Sequence, residues 1–245
     1  MKDAFIFRRI EKKYRLTGEQ KAMLLTWIGG RLVPDEFFCS TVCSLYLDTP
    51  DNLLIRNSID AISYKEKLRL RSYGTPSPDS QVFLELKKKY DGVVYKRRVS
   101  MTLSEAERYL ETGEAPFDTQ IMREIDYAMR FYNRPQPAMF IAYEREAFTA
   151  REDSELRLTF DSAVRYRTAG LRLENGTPGK VIMPEDTCLL EIKTTGAMPL
   201  WLSHALDECG IRPSSFSKYG TAYQDTLTAR EPVTMKGENQ YACNF

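Results

Sequence analysis

Four stretches of this chain set polar, mostly charged side chains at every second residue, with apolar ones between them. Lys67, Arg69 and Arg71 alternate with Leu68 and Leu70, and Glu85, Lys87 and Lys89 follow the same spacing beside Leu84 and Leu86. Arg157, Thr159 and Asp161 alternate with Leu156, Leu158 and Phe160, while Glu191 and Lys193 flank Ile192. A strand has a side-chain period of two, so each set occupies one face of a sheet. In an ordinary antiparallel sheet the polar face meets water and the apolar face meets the core. Two features argue for the reverse. The polar positions favour Arg and Lys over Thr and Gln, and amphipathic helices elsewhere in the chain need an apolar sheet surface to cover. Helices on the leucine face would leave the charges inside a closed sheet. Unpaired charges in a dry interior would be unstable, whereas a water-filled lumen that takes up a polyanion and a metal avoids that cost.

Bulk properties narrow the classes. The 245 residues carry 35 Lys and Arg against 34 Asp and Glu, a formal net charge of +1. The chain is therefore not basic all over, as many nonspecific nucleic-acid binders are, and a basic site must be segregated from an acidic exterior. No apolar run approaches the ~18 residues of a membrane-spanning helix. Met1 to Arg9 lacks the apolar core of a signal peptide, so the cytoplasm is the expected location. Five cysteines (Cys39, Cys43, Cys188, Cys209, Cys243) form no CxxC pair, and His204 is the lone histidine. That composition argues against a Cys/His zinc site and against a histidine-based nucleophilic triad.

The order of elements reads as α+β. A strand is expected over 7–16, followed by a helix with Thr17 as N-cap and Gln20 closing a capping box, stopped by Gly29 and Gly30. Strands are expected over 42–48, 61–73, 81–90 and 93–101, with a short helix or turn over 50–57 and a turn at Asp91-Gly92. Helices follow over 103–112, capped near Thr102 or Ser104, and over 118–132, broken by Pro135 and Pro137. Arg123 and Arg130 on the latter read as an external basic strip. Further strands are expected over 138–148, 156–163, 171–174 and 187–194, then a helix over 199–209 ended by Gly210. A polar loop over 214–219 leads into a last helix. Residues 1–230 read as one domain and 231–245 as a loose tail.

Several segments carry a resemblance in order along the chain. They are Arg9-Ile10-Glu11-Lys12-Lys13-Tyr14, Ser44-Leu45-Tyr46-Leu47-Asp48-Thr49, Lys67-Leu68-Arg69-Leu70-Arg71 with Tyr73-Gly74, and Glu85-Leu86-Lys87. Later come Ile141-Ala142-Tyr143-Glu144-Arg145, Arg157-Leu158-Thr159-Phe160-Asp161, Leu190-Glu191-Ile192-Lys193 and Phe216-Ser217-Lys218-Tyr219. Together they resemble a VTC (vacuolar transporter chaperone) domain over about residues 5–225. That family belongs to the triphosphate tunnel metalloenzymes. The resemblance implies a closed antiparallel β-barrel tunnel with a basic lumen, surrounded by helices. It also implies a polyphosphate polymerase that moves the γ-phosphate of ATP onto a growing inorganic polyphosphate chain with Mn²⁺ or Mg²⁺. The neighbouring adenylyl cyclase and thiamine-triphosphatase group begins with Glu-x-Glu-x-Lys. Here the pattern is Arg9-x-Glu11-x-Lys13, which suits the polymerase branch better.

By the same resemblance Lys13, Arg69, Arg71, Lys87, Arg145, Arg157 and Lys218 form the triphosphate cradle. Arginine forks grip phosphate oxygens in pairs, and lysines act as movable point charges. Tyr143, Lys67, Lys96, Arg98, Lys193 and Ser217 are further lining residues. At Ser215 some relatives carry another lysine, so one end of the tunnel is expected to be less basic. Glu191 resembles the metal-binding glutamate. Glu11 and Glu85 are second choices, each able instead to pair with nearby cations, and Asp161 reads equally as a strand-end turn residue. No general base is evident, and ionised polyphosphate ends need none. Two alternatives share the site: a tunnel triphosphatase acting on tripolyphosphate or a nucleoside triphosphate, and a noncatalytic polyphosphate or nucleotide sensor. Nucleic acid is not an expected partner. A membrane partner protein is compatible with the resemblance, since eukaryotic members work in membrane complexes.

Overall fold

A computed structural model describes residues 10–60, 63–91 and 93–229. The expected strand positions 7–9, Gly92 of the expected turn, and the expected tail over 231–245 lie outside these residues. The chain opens with strand β1 (Ile10–Thr17) and helix α1 (Gly18–Ile28), followed by the long β2 (Leu32–Asp48) and the short α2 (Leu53–Ile59). A three-strand meander comes next: β3 (Tyr64–Tyr73), β4 (Gln81–Tyr90) and β5 (Val93–Thr102). Helices α3 (Leu103–Thr112) and α4 (Gln120–Phe131) lead to β6 (Gln136–Ala150), β7 (Arg157–Arg167), β8 (Lys180–Val181) and β9 (Thr187–Thr194). Helices α5 (Leu200–Glu208) and α6 (Lys218–Thr228) end the described chain. All strand pairs are antiparallel, in the order β1-β9-β7-β6-β2-β3-β4-β5, with β8 beside β7.

Helix starts follow local chemistry. Thr17 accepts from the Gln20 amide while the Gln20 side chain accepts from the Thr17 amide, and Thr102 and Glu105 repeat this reciprocal box at α3. Each box satisfies two amides that the first helical turn leaves without partners. Two expectations need correction. β2 begins ten residues earlier than its expected start at Val42, and Pro34 sits at a register shift where the missing amide is tolerated. The segment expected as a strand over 171–174 is instead a 3₁₀ turn at Leu173–Asn175. Arg167 holds that region in loop form by donating to the carbonyls of Gly170, Arg172, Gly176 and Pro178.

The apolar side of the sheet is the convex one. Leu45, Leu68, Leu70, Leu84 and Leu86 bury under α3 and α4 with Tyr109, Met122, Ile125 and Met129. Tyr14, Leu16, Leu158, Phe160, Leu190 and Ile192 bury under α1 and α5 with Leu24, Ile28, Leu202 and Leu206. Arg97, at the outward parity of β5, pairs with Glu124 on α4. The opposite side curls inward. Glu11 on β1 lies 3.8 Å from Lys87 on β4, although five strands separate them in the sheet. Among the described residues no ladder joins β1 to β5, so the sheet is strongly curled but not closed by hydrogen bonds. None of the described helices is long and apolar enough to cross a membrane.

Helix α6 enters the concave side at one end. Tyr219 and Ala222 bury there against Val42, Tyr46, Met139, Ile141, Val164 and Leu189. Tyr219 stacks on Tyr46 with centroids 4.4 Å apart and donates to Asp48 at 2.9 Å. Asp48 also accepts from the Leu54 and Ile55 amides, which ties α2 to the same plug. At Ala163 the backbone takes φ 48° beside a register shift in the β6–β7 ladder. The extra residue turns Val164 to the same concave side as Asp161, so β7 contributes charge at one end and apolar packing at the other.

Candidate functional site

The parity read from the sequence places the charged positions of β1, β3, β4, β5, β6, β7 and β9 on the concave wall, where they form two linked clusters. In the first, Glu85 is the hub, and it is 1% exposed. Its carboxylate lies 2.7 Å from Arg69, 2.6 Å from Arg98, 2.8 Å from Lys96 and 3.8 Å from Arg71. Burial would raise this carboxyl, but Arg69, Arg71 and Lys96 outweigh burial and hold it far below the usual carboxylate range. Arg69 donates to the Tyr46 hydroxyl at 3.2 Å, and Arg71, itself buried, reaches the hydroxyls of Ser44 and Tyr143. Burial would raise the Tyr46 phenol, yet Arg69, Lys67 and Arg71 bring it down to about 8.

The second cluster joins β9, β7, β6, β1 and the start of α6. Arg145 grips Asp161 with two donors at 2.6 and 2.8 Å, and Lys218 donates to the same carboxylate at 2.6 Å. Lys218 also sits 4.4 Å from the centre of the Tyr143 ring. Glu191 faces Lys13 at 3.4 Å, Lys193 at 3.5 Å and Lys218 at 4.0 Å. Burial opposes ionisation of Asp161 and Glu191, but the surrounding cations win and hold both below the usual range. Burial alone would lower Lys218, but Asp161, Tyr143 and Glu191 raise it.

Between the clusters lie Lys67, Lys87, Lys13 and Glu11. Lys67 donates to the Ser217 hydroxyl at 3.1 Å, and Ser217 in turn caps α6 by accepting from the Gly220 amide. Burial lowers the Lys67 ammonium to about 8, and burial likewise lowers Lys87 and Lys96. Arg157 stands at the rim, 45% exposed, and pairs with Asp35 at 2.7 Å. The expected lining set is therefore brought to one wall, with Arg157 and Lys96 its most exposed members. Cationic groups far outnumber the four acidic hubs Glu11, Glu85, Asp161 and Glu191. Such a surface suits a flexible chain of phosphates, whose oxygens can replace intramolecular carboxylates as partners.

Sequence reasoning assigned no role to Tyr46 or Thr159, and left Asp161 between a turn and a site. Asp161 is fully buried beneath Arg145 and Lys218. The signal for it was its in-phase position with Arg157 and Thr159. Arg123 and Arg130 lie on the outer face, paired with Asp118 and Asp126. His204 is exposed on α5. A surface cavity of about 570 Å³ bounded by Arg31, Arg151, Leu156 and Trp201 lies away from the concave wall.

The donor set also bears on the divalent cation. Among the described residues no three acidic, His or Cys side chains gather into a ready metal cage. Glu191 and Glu11 converge on Lys13, at 3.4 and 3.5 Å. The buried Thr159 hydroxyl, opposite Glu191 in the β7–β9 register, has no partner. One or two carboxylates, with phosphate oxygens completing the coordination, fit Mg²⁺ or Mn²⁺ arriving with a polyphosphate. Glu85, already held by four cations, is the least available of the three expected carboxylates.

Two solved structures share the fold. A candidate adenylate cyclase from Bacillus halodurans aligns with a TM-score of 0.52 at 15% identity, covering 85% of this chain and 93% of its own. A candidate adenylyl cyclase from Hippeastrum, described as having a dominant triphosphatase activity, aligns with a TM-score of 0.56 at 16% identity, covering 89% and 96%. Among curated proteins no sequence match was found. The family model for the VTC domain matches residues 8–227, nearly the whole described chain. With that span matched, the chain belongs to the VTC domain family.

Proposed function

We propose that this chain is a metal-dependent polyphosphate polymerase that transfers the γ-phosphate of ATP to the end of an inorganic polyphosphate chain. The observation that carries the reading is the concave wall of Lys13, Lys67, Arg69, Arg71, Lys87, Arg145 and Lys218 within a VTC-domain chain. In this reading the curled sheet acts as the tunnel. The bond from the γ-phosphorus to the β-bridging oxygen breaks as a terminal phosphate oxygen of the acceptor attacks, and ADP leaves with the electron pair. The acceptor oxygen is already ionised, so no protein group need take a proton. The protein's contribution is alignment and neutralisation of charge at the transferring group. Arg69, Arg71 and Arg145 supply forked donors, while Lys13, Lys67, Lys87 and Lys218 supply mobile charge. Arg98, Lys96 and Lys193 extend the wall, and Tyr143 and Ser217 offer hydroxyls. Glu191, with Glu11 second, would hold Mn²⁺ or Mg²⁺, which when bound neutralises phosphate oxygens.

A second reading, hydrolysis of tripolyphosphate or a nucleoside triphosphate in the same site, is favoured by the triphosphatase activity ascribed to the Hippeastrum structural neighbour. Incubation with ATP and Mn²⁺, followed by gel sizing of the phosphate products, separates the two. A polyphosphate ladder with matching ADP release is expected. Free phosphate and ADP without a ladder would favour the hydrolase, and neither product would leave only the binding role.

A further inference from the structure

Strand β3 is a ruler along the concave wall. Lys67 lies beneath the α6 cap, bonded to Ser217, and Arg69 and Arg71 follow at the same parity. Tyr73, six residues or about 20 Å beyond Lys67, ends the row away from the α6 plug and is 48% exposed. Its ring meets Phe83 of β4 edge-on, with centroids 5.9 Å apart. Arg98 joins this pair to the phosphate-suited cluster. Its guanidinium lies 4.4 Å from the centre of the Phe83 ring, donates to the Tyr73 hydroxyl at 3.5 Å and bonds Glu85 on its other side.

Along one wall, then, forked cations give way without interruption to an exposed aromatic ledge with an arginine stacked at its root. Inorganic phosphate chains have no use for such a ledge, because they carry no apolar or π surface. A nucleoside triphosphate has both chemistries in the same order, phosphates first and an aromatic base after. We propose that Tyr73 and Phe83 form a stacking platform for the base of a nucleoside triphosphate whose phosphates lie on Arg69, Arg71 and Arg98. The inference rests on the reading of the wall as a polyphosphate site, and it assigns the nucleotide, not inorganic polyphosphate, to this end.

The test is calorimetric titration of the full chain with ATP and, separately, with inorganic tripolyphosphate, each with Mg²⁺, on the wild type, Tyr73→Leu and Tyr73→Phe. Base–aromatic stacking predicts that Tyr73→Leu loses at least fivefold in ATP affinity while tripolyphosphate shifts by less than twofold. Tyr73→Phe, which keeps the ring and loses the hydroxyl, should bind both like the wild type. Equal losses for both ligands in both variants would overturn the platform, because Tyr73 would then act only by holding Arg98. Unchanged ATP affinity in Tyr73→Leu would overturn it too, while leaving the phosphate site standing. A wild type that binds neither ligand would remove the phosphate reading and the platform with it.

Discussion

Glu85 shows how one carboxylate can hold a cationic wall together. Four cations converge on its carboxylate, and removing that charge leaves them facing one another. Breaking a buried charge pair by deleting one partner costs about 3–5 kcal/mol. Glu85→Gln should sit at the low end, about 3 kcal/mol, because Lys96 and Arg98 reach water. Thermal unfolding should therefore drop by roughly 6–12 °C, and tripolyphosphate should restore part of the loss by supplying the missing negative charge. A variant as stable as the wild type would show that the cluster is not held by this carboxylate. Tyr46 and Lys67 make a second residue-scale case, since both titrate near pH 8 in the ligand-free site. They face each other's charge and those of Lys13, Lys87, Arg69 and Arg71, so the pair titrates as a unit. A phosphate ligand prefers the ammonium protonated and the phenol neutral. Affinity should accordingly hold below pH 8 and weaken by up to about tenfold per pH unit above it, for each proton lost. Phenolate ultraviolet absorbance should rise near pH 8 and lose that step in Tyr46→Phe. A rise confined to the ordinary tyrosine range would sink the argument.

Among the elements, helix starts stand on short local rules. The Thr102–Glu105 box satisfies two amides at the entry to α3, whose Leu103, Ala106 and Tyr109 cover Leu84 and Leu86 of β4 and Val99 and Met101 of β5. Thr102→Ala should cost about 1 kcal/mol in chemical denaturation without altering ligand affinity, because the helix it caps packs on the convex side. A changed affinity would mean that the helix layer and the concave wall are coupled. The Thr17–Gln20 box was legible in the sequence because capping is settled within four residues. At α3 the sequence left the cap between Thr102 and Ser104, and the structure places it at Thr102. The parity of the charged strands was legible for a similar reason, since period two needs no knowledge of partners. Residues 32–41 were not legible as strand: Pro34 and Asp35 are poor strand formers, and pairing with β6 overrides that local preference. Leu171–Glu174 misled in the other direction, because its apolar spacing says nothing of the Arg167 guanidinium that fixes the loop carbonyls. The depth of Asp161 was equally hidden, because it depends on Lys218, which arrives from α6, 57 residues later.

For the whole molecule, the decisive fact is that a chain of net charge +1 carries its cationic excess on one concave wall. Its exterior must then be slightly acidic, and long-range attraction of polyanions is modest until they reach the mouth. Salt therefore acts with opposite signs on two properties. In the ligand-free protein, added salt screens repulsion among the cations not matched by Glu11, Glu85, Asp161 and Glu191, and should raise the unfolding temperature. The same salt competes with phosphate oxygens and should weaken tripolyphosphate binding, since the Debye length falls from about 10 Å at 0.1 M to about 3 Å at 1 M. At a concentration 100 times its dissociation constant, tripolyphosphate should stabilise the fold by about 2.7 kcal/mol, and this increment should shrink as salt rises. Thermal unfolding at several ionic strengths, with and without tripolyphosphate, reads both effects from one set of samples. If salt destabilised the ligand-free protein, the intramolecular ion pairs would dominate over the repulsion, and the wall would be a satisfied network instead of a surface awaiting an anion. Convergence of the two melting curves at high salt is the result that a segregated basic wall requires.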